Sequence, residues 1–228
     1  MNIIRSLILY FIAGLTFLFF GPIVLLIIIV YPKGAYKLII AWCKFMVVTF
    51  DCEINAKGKV PENETFVIMA NHVSFLDVFA IPSVFTGKFS AVAASKNFNI
   101  PIYALFLKKL RVISIDRSNR QQSIQGIQQA ELLLKEGYHI VILPEGTRTR
   151  DGSLGTFKKG GFHLAVNTGA SILPIITKGL FKIKPIRRWS IKPGLINIEV
   201  GKPISSHNKT IDELLNETEV VFNNMLKD

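Results

Sequence analysis

The stretch Asn71-His72-Val73-Ser74-Phe75-Leu76-Asp77 lies between a short apolar run ending at Ala70 and a helical pattern beginning at Phe75. A strand that turns into a helix here brings the Asp77 carboxylate back toward His72. The carboxylate can then accept a hydrogen bond from one imidazole nitrogen, fixing the tautomer and raising the basicity of the other. That is a base with its orienting partner but no enzyme nucleophile, suited to taking a proton from an incoming substrate hydroxyl. The same residues also fit an ordinary helix start, with Ser74 as N-cap and Asp77 three residues on, so the pair alone decides nothing.

Outward from this turn, alternating sequence after Asp51 predicts strands near Cys52 to Asn55, Phe66 to Ala70, Ser90 to Ala94, Val112 to Ile115, His139 to Leu143, Ile172 to Ile176 and Leu195 to Val200. Helices are predicted over Phe75 to Val84, Phe98 to Leu110, Asn119 to Glu136, Phe162 to Thr168 and Ile211 to Leu226. Capping-box spacing marks two starts, Ser118 with Gln121 and Thr210 with Glu213, and Gly137 closes the third helix. Alternation of strand and helix predicts an α/β fold, a mostly parallel sheet flanked by helices, with sites at the strand carboxyl ends. Residues 51–228 are read as this domain.

Residues 1–50 are different in kind and are read as a membrane-anchoring helical segment. No charge occurs from Ser6 to Tyr31. A helix of that length spans a bilayer core, but Gly21-Pro22 predicts a kink or break, leaving a kinked spanning helix or a piece dipping into one leaflet. A cleaved signal peptide is disfavoured by the length of the run and the lack of a small-x-small site after it. A second helix over Ala35 to Phe50 carries an apolar face with Trp42, fitting either a membrane interface or the core of the following domain. The hydrophobic half of the composition and a mean hydropathy of +0.38 point the same way.

The net charge of +11 calls for an acidic partner. With an apolar N-terminus and no nucleic-acid motif, an anionic lipid surface or an acidic carrier fits, and nucleic acid does not. Arg5 on one side of the apolar run and Lys33 and Lys37 on the other put the domain on the cytoplasmic face of the membrane. Cys43 and Cys52 have no metal-like spacing and read as free thiols, and no His/Cys cluster calls for a metal.

Two more polar clusters follow predicted strands. Pro144-Glu145-Gly146-Thr147-Arg148-Thr149-Arg150 offers guanidiniums for a phosphate and a glycine for close backbone approach. Glu145 there can tether a basic residue or a substrate hydroxyl. Asp116-Arg117 follows Ile115. Each alone also reads as a solvated turn or surface pair.

In order, however, Asn71 to Asp77, Val112 to Arg117, Leu143 to Arg148, Phe157 to Ala165 and Ile172 to Ile175 closely resemble the sequence blocks of the glycerophospholipid acyltransferase family, in its lysophosphatidate acyltransferase branch. The resemblance covers roughly Asn71 to Pro174. It implies an enzyme, a 1-acylglycerol-3-phosphate O-acyltransferase, moving a fatty acyl group from a thioester to the sn-2 hydroxyl of 1-acyl-sn-glycerol-3-phosphate. It also implies His72 as general base and Asp77 as its orienter, with Glu145, Gly146, Thr147, Arg148 and Arg117 binding the acceptor and Lys96 assisting with phosphate. No cofactor is implied beyond acyl-acyl carrier protein or acyl-coenzyme A as co-substrate. Ala104 and Lys108-Lys109-Leu110 depart from glycines common in the family, a difference bearing on donor and chain length.

On chemical grounds, neutral imidazole is needed for proton abstraction, so activity is expected to fall in acid. Backbone amides near Ser74 or Gly146 are expected to receive the developing oxyanion. Competing readings keep the fold but change the role: acylation of glycerol-3-phosphate or another lysolipid, a thioester hydrolase, or a non-catalytic membrane binder of anionic lipid. The further basic residues Lys158, Lys159, Lys182, Lys184, Arg187 and Arg188 are expected on the surface, facing lipid or carrier.

Overall fold

Val67, Ile68, Met69 and Ala70 are all fully buried, Val67 and Met69 in one apolar cluster and Ile68 and Ala70 in another. That alternation is what a strand produces when both faces of its sheet are covered. In the computed structural model, which describes residues 2–61, 64–116 and 119–227, these four residues form the centre of a helix-flanked sheet.

The elements run α1 (Asn2–Val30), α2 (Pro32–Thr49), β1 (Cys52–Lys57), β2 (Val67–Ala70), α3 (Asp77–Ala80) with a 3-10 turn over Ile81–Val84, β3 (Phe89–Ala94) and a 3-10 turn over Ser95–Asn99. Then come α4 (Pro101–Lys109), β4 (Ile113–Ile115), α5 (Arg120–Lys135), β5 (His139–Ile142), α6 (Gly160–Thr168), β6 (Ile172–Lys178), α7 (Leu180–Ile183), β7 (Gly194–Val200) and α8 (Ile211–Lys227). All seven predicted strands are present. α7 is the addition, a single turn too short to show a period.

Strand order is β1-β7-β6-β2-β5-β3-β4. The run β6-β2-β5-β3-β4 is parallel throughout, with Ile68 level with Leu173 on one side and Val141 on the other. β7 is antiparallel to β6, and β1 is parallel to β7. Five carboxyl ends therefore open on one edge. α1, α2 and α3 pack with one face of the sheet, and α5, α6 and α8 with the other.

Helix ends follow local chemistry. Thr210 and Glu213 form the reciprocal capping box, Thr210 N donating to Glu213 Oε2 at 2.8 Å and Glu213 N to Thr210 Oγ1 at 3.3 Å. α5 is capped one residue later than expected, by Asn119, whose Oδ1 accepts from Gln121 N and Gln122 N. Ser118 lies outside the described residues. Gly137, at φ +82°, closes α5 in the left-handed conformation.

α2 resolves toward the core: Ala35, Tyr36, Ile39, Ile40, Cys43, Met46, Val47 and Phe50 are buried at helical spacing. α1 runs through Gly21 and Pro22 as one helix, so of the expected kink or break the break is absent. It lies lengthwise on the domain. Arg5 pairs with Asp51 and donates to the Ile191 carbonyl, Tyr10 Oη donates to the Trp189 carbonyl, and the Phe17 ring meets Trp42 at 4.6 Å. Its docking face is small (Ser6, Ala13, Thr16), while Phe11, Leu18 and Leu26 on the outside are 60% exposed or more. α1 is also the one helix among the described residues long and apolar enough to cross a membrane.

Candidate active site

The turn after β2 is built around one oxygen. Asp77 Oδ2 accepts from Val73 N at 2.8 Å, from Ser74 N at 3.0 Å, and sits 2.8 Å from His72 Nδ1. The two amides fix the carboxylate from below, and the carboxylate fixes the ring. Asp77 is 2% exposed, whereas the imidazole is partly open to solvent. Nδ1 is the nitrogen that faces Asp77, so Nε2 is left as the proton acceptor.

Three neighbours hold this turn in place. Asn71 donates through Nδ2 to the Thr177 carbonyl and accepts at Oδ1 from Thr177 N at 2.8 Å, tying the carboxyl ends of β2 and β6 past their last ladder pair. Ser74 Oγ donates to the Lys184 carbonyl at 2.8 Å. From the β5 side, Glu145 Oε1 accepts from His72 N at 2.7 Å, and Thr149 N donates to the His72 carbonyl at 2.9 Å. His72 is thus gripped through its backbone by the very loop that carries Arg148.

Glu145 is accounted for without any basic partner. Its second oxygen accepts from Gly155 N at 2.8 Å, and a Cβ at Gly155 would fall 2.9 Å from that oxygen, so glycine is needed there. Burial raises the Glu145 pKa, with the two amide bonds opposing the rise. Gly146, at φ +75°, makes the reversal out of β5 that lets the loop fold back. Downstream, Asp151 accepts from Ser153 and Thr149, bonds that hold its carboxyl down to about 2 and stiffen the loop.

Of the sequence-predicted residues, His72, Asp77, Glu145, Gly146, Thr147 and Arg148 come together at the carboxyl ends of the adjacent strands β2 and β5. Thr147 is exposed and Arg148 half-buried. Lys96 is exposed just after β3, two strands along and hence roughly 10 Å across the edge. Arg117 lies outside the described residues. The amides expected to receive an oxyanion are both engaged, Ser74 N by Asp77 and Gly146 N by the Leu143 carbonyl.

One residue read as surface is not. Lys184 is 7% exposed, its Nζ 3.3 Å from the Pro185 carbonyl and 5.6 Å above the Phe75 ring. Burial lowers its pKa, and the neighbouring charges of Arg148 and Arg188 lower it further. Nothing in Phe-Lys-Ile-Lys-Pro distinguishes this lysine from Lys182, which is exposed. Only the tertiary bond from Ser74 places it.

Comparison with known proteins gives a consistent set of likenesses. A sequence model of the family described as Acyltransferase matches residues 51–178. The chloroplastic 1-acyl-sn-glycerol-3-phosphate acyltransferase of Arabidopsis thaliana is 34% identical over 77% of this chain and 49% of that protein. The 1-acyl-sn-glycerol-3-phosphate acyltransferase of Pseudomonas aeruginosa is 28% identical over 87% of this chain and 79% of that one. The chain spans about half the length of the first of these curated relatives. Among solved structures, the crystal structure of the 1-acyl-sn-glycerophosphate acyltransferase of Thermotoga maritima superposes with a TM-score of 0.87 at 26% identity, covering 100% of this chain and 97% of that one.

Proposed function

The chain belongs to the Acyltransferase family, and from that premise we propose that it acylates the sn-2 hydroxyl of 1-acyl-sn-glycerol-3-phosphate from an acyl thioester, giving phosphatidate. The observation that carries this reading is the 2.8 Å contact between His72 Nδ1 and Asp77 Oδ2, which leaves Nε2 as a base beside a loop bearing Arg148. Among the described residues, no serine hydroxyl or cysteine thiol hydrogen-bonds to the His72 ring, which favours direct attack by the acceptor over a covalent enzyme intermediate. The names of the relatives support the acceptor.

In the reaction, the acceptor oxygen forms a bond to the thioester carbonyl carbon as its proton passes to His72 Nε2. The Asp77 carboxylate stabilises the resulting imidazolium through Nδ1. Collapse of the tetrahedral intermediate breaks the carbon–sulfur bond, and the departing thiolate recovers the proton from His72. Arg148 holds the acceptor phosphate, and Glu145 positions His72 through its backbone amide rather than touching substrate. Lys96, exposed just after β3, extends the basic edge, and Arg117 assists in binding the acceptor. The donor is an acyl-acyl carrier protein or acyl-coenzyme A thioester, whose acidic carrier or phosphates suit the net charge of +11.

The enzyme works at a membrane. The outer face of α1 is apolar along its whole length while its inner face is docked on the domain, which supports a helix lying in one leaflet with the His72 turn held close to it. The domain faces the cytoplasm. The test is product analysis with labelled acyl thioester and lysophosphatidate, glycerol-3-phosphate or no acceptor in parallel. Phosphatidate from lysophosphatidate alone is expected. Free fatty acid in every tube would replace the transferase by a hydrolase, and no product in any would leave a lipid binder.

A further inference from the structure

Lys184 is a buried ammonium group without a carboxylate. Among the described residues its Nζ has one hydrogen-bond partner, the Pro185 carbonyl, and no ion pair. Burying such a charge is costly unless something compensates it, and a carbonyl at 3.3 Å and the face of Phe75 compensate only in part. Its neighbours add to the cost rather than relieve it: Arg148 and Arg188 are both cations, and Arg188 is occupied with the carbonyls of Lys182, Ile183 and Ser190.

The backbone explains why this charge is where it is. Ser74 Oγ grips the Lys184 carbonyl from one side of the His72 turn, and the Thr149 amide grips the His72 carbonyl from the other. Lys184, arriving from β6, and Arg148, arriving from β5, are thereby fastened to the two flanks of the residue read as the base. The carboxylates of this region are engaged by other groups: Asp77 Oδ2 by His72 and two amides, with Oδ1 buried and without a hydrogen-bond partner among the described residues, and Glu145 by two amides. Neither acid forms an ion pair with Lys184 or Arg148 among the described residues, so two cations anchored on the flanks of the His72 turn leave charge for one further anion.

We propose that Lys184 and Arg148 together form the binding site for a phosphate monoester dianion next to His72, with Lys184 a point-charge donor beside the planar guanidinium. This rests on the acyltransferase reading above and adds to it a phosphate ligand from the β6 side of the turn. The phosphate belongs to the acceptor or to the thioester donor, and kinetics separate the two.

The experiment compares wild type, Lys184→Met and Lys184→Arg with lysophosphatidate and with its phosphate-free counterpart, 1-acylglycerol, varying acceptor and donor in turn. A charged hydrogen bond of this kind is expected to be worth about 10- to 100-fold in KM for the phosphate ligand. For Lys184→Met we expect that rise for lysophosphatidate, kcat within a few-fold, the slow reaction of 1-acylglycerol unchanged, and partial recovery in Lys184→Arg. The same rise confined to the donor would assign the phosphate to the donor. Unchanged kinetics, or an equal fall in kcat with both acceptors at saturating donor, as misfolding would produce, overturns the proposal. Wild type that forms no phosphatidate would instead overturn the acyltransferase reading on which it rests.

Discussion

Asp77 and His72 have different structural debts although they act as a pair. Replacing Asp77 by Ala leaves the buried amides of Val73 and Ser74 without an acceptor, which is expected to lower stability by about 1–3 kcal/mol. His72→Ala removes a partly exposed ring and keeps the backbone bonds to Glu145 and Thr149, so its stability should stay near that of wild type. Denaturant unfolding of the two variants checks this, and equal losses would contradict the account of the turn. The pair was legible in the sequence because five-residue spacing after a strand is local. Lys184 and the amide-bracing role of Glu145 were not, since both depend on contacts between residues 73 to 110 positions apart. Glu145 invited a reading as a substrate ligand, and the fold shows a carboxylate used to hold amides.

Elements show the same division between local pattern and tertiary choice. Strand periods and turn residues located the sheet, but the amphipathic face of α2 suited membrane and core equally, and packing against α3 and β1 decided it. For α1 the outcome is a test of lipid exposure. Changing Leu7, Phe11 and Leu18 to Lys should release the protein from vesicles without loss of helix signal, since these side chains face outward. Retained flotation would show that other surfaces anchor the domain. A second element-level prediction concerns β5. His139 begins that strand, accepts from Phe66 N at 3.2 Å through Nδ1, and stacks on the Phe66 ring, joining β5 to the entry of β2. Burial holds its imidazole down to about 4. The unfolded chain therefore takes up the proton first, and stability should fall by about 2 kcal/mol between pH 7 and pH 5. His139→Asn, which keeps an acceptor for Phe66 N, should flatten that slope, and an unaltered slope would assign the acid sensitivity elsewhere.

At the scale of the whole molecule, five parallel strands aim their carboxyl ends at one edge, and the three polar clusters of the sequence follow β2, β4 and β5. Alternation of strand and helix was enough to anticipate that edge. Which cluster would lie beside which was not, because strand order is a tertiary property: β5, third-last in the chain, inserts between β2 and β3 and so sets the Arg148 loop against His72. The most direct measurement of the central claim is the rate of phosphatidate formation by His72→Ala and wild type, reconstituted in the same vesicles with saturating lysophosphatidate and acyl thioester. A base that removes the acceptor proton predicts a fall of at least about 10²-fold with vesicle binding intact. Turnover near the wild-type rate would contradict it.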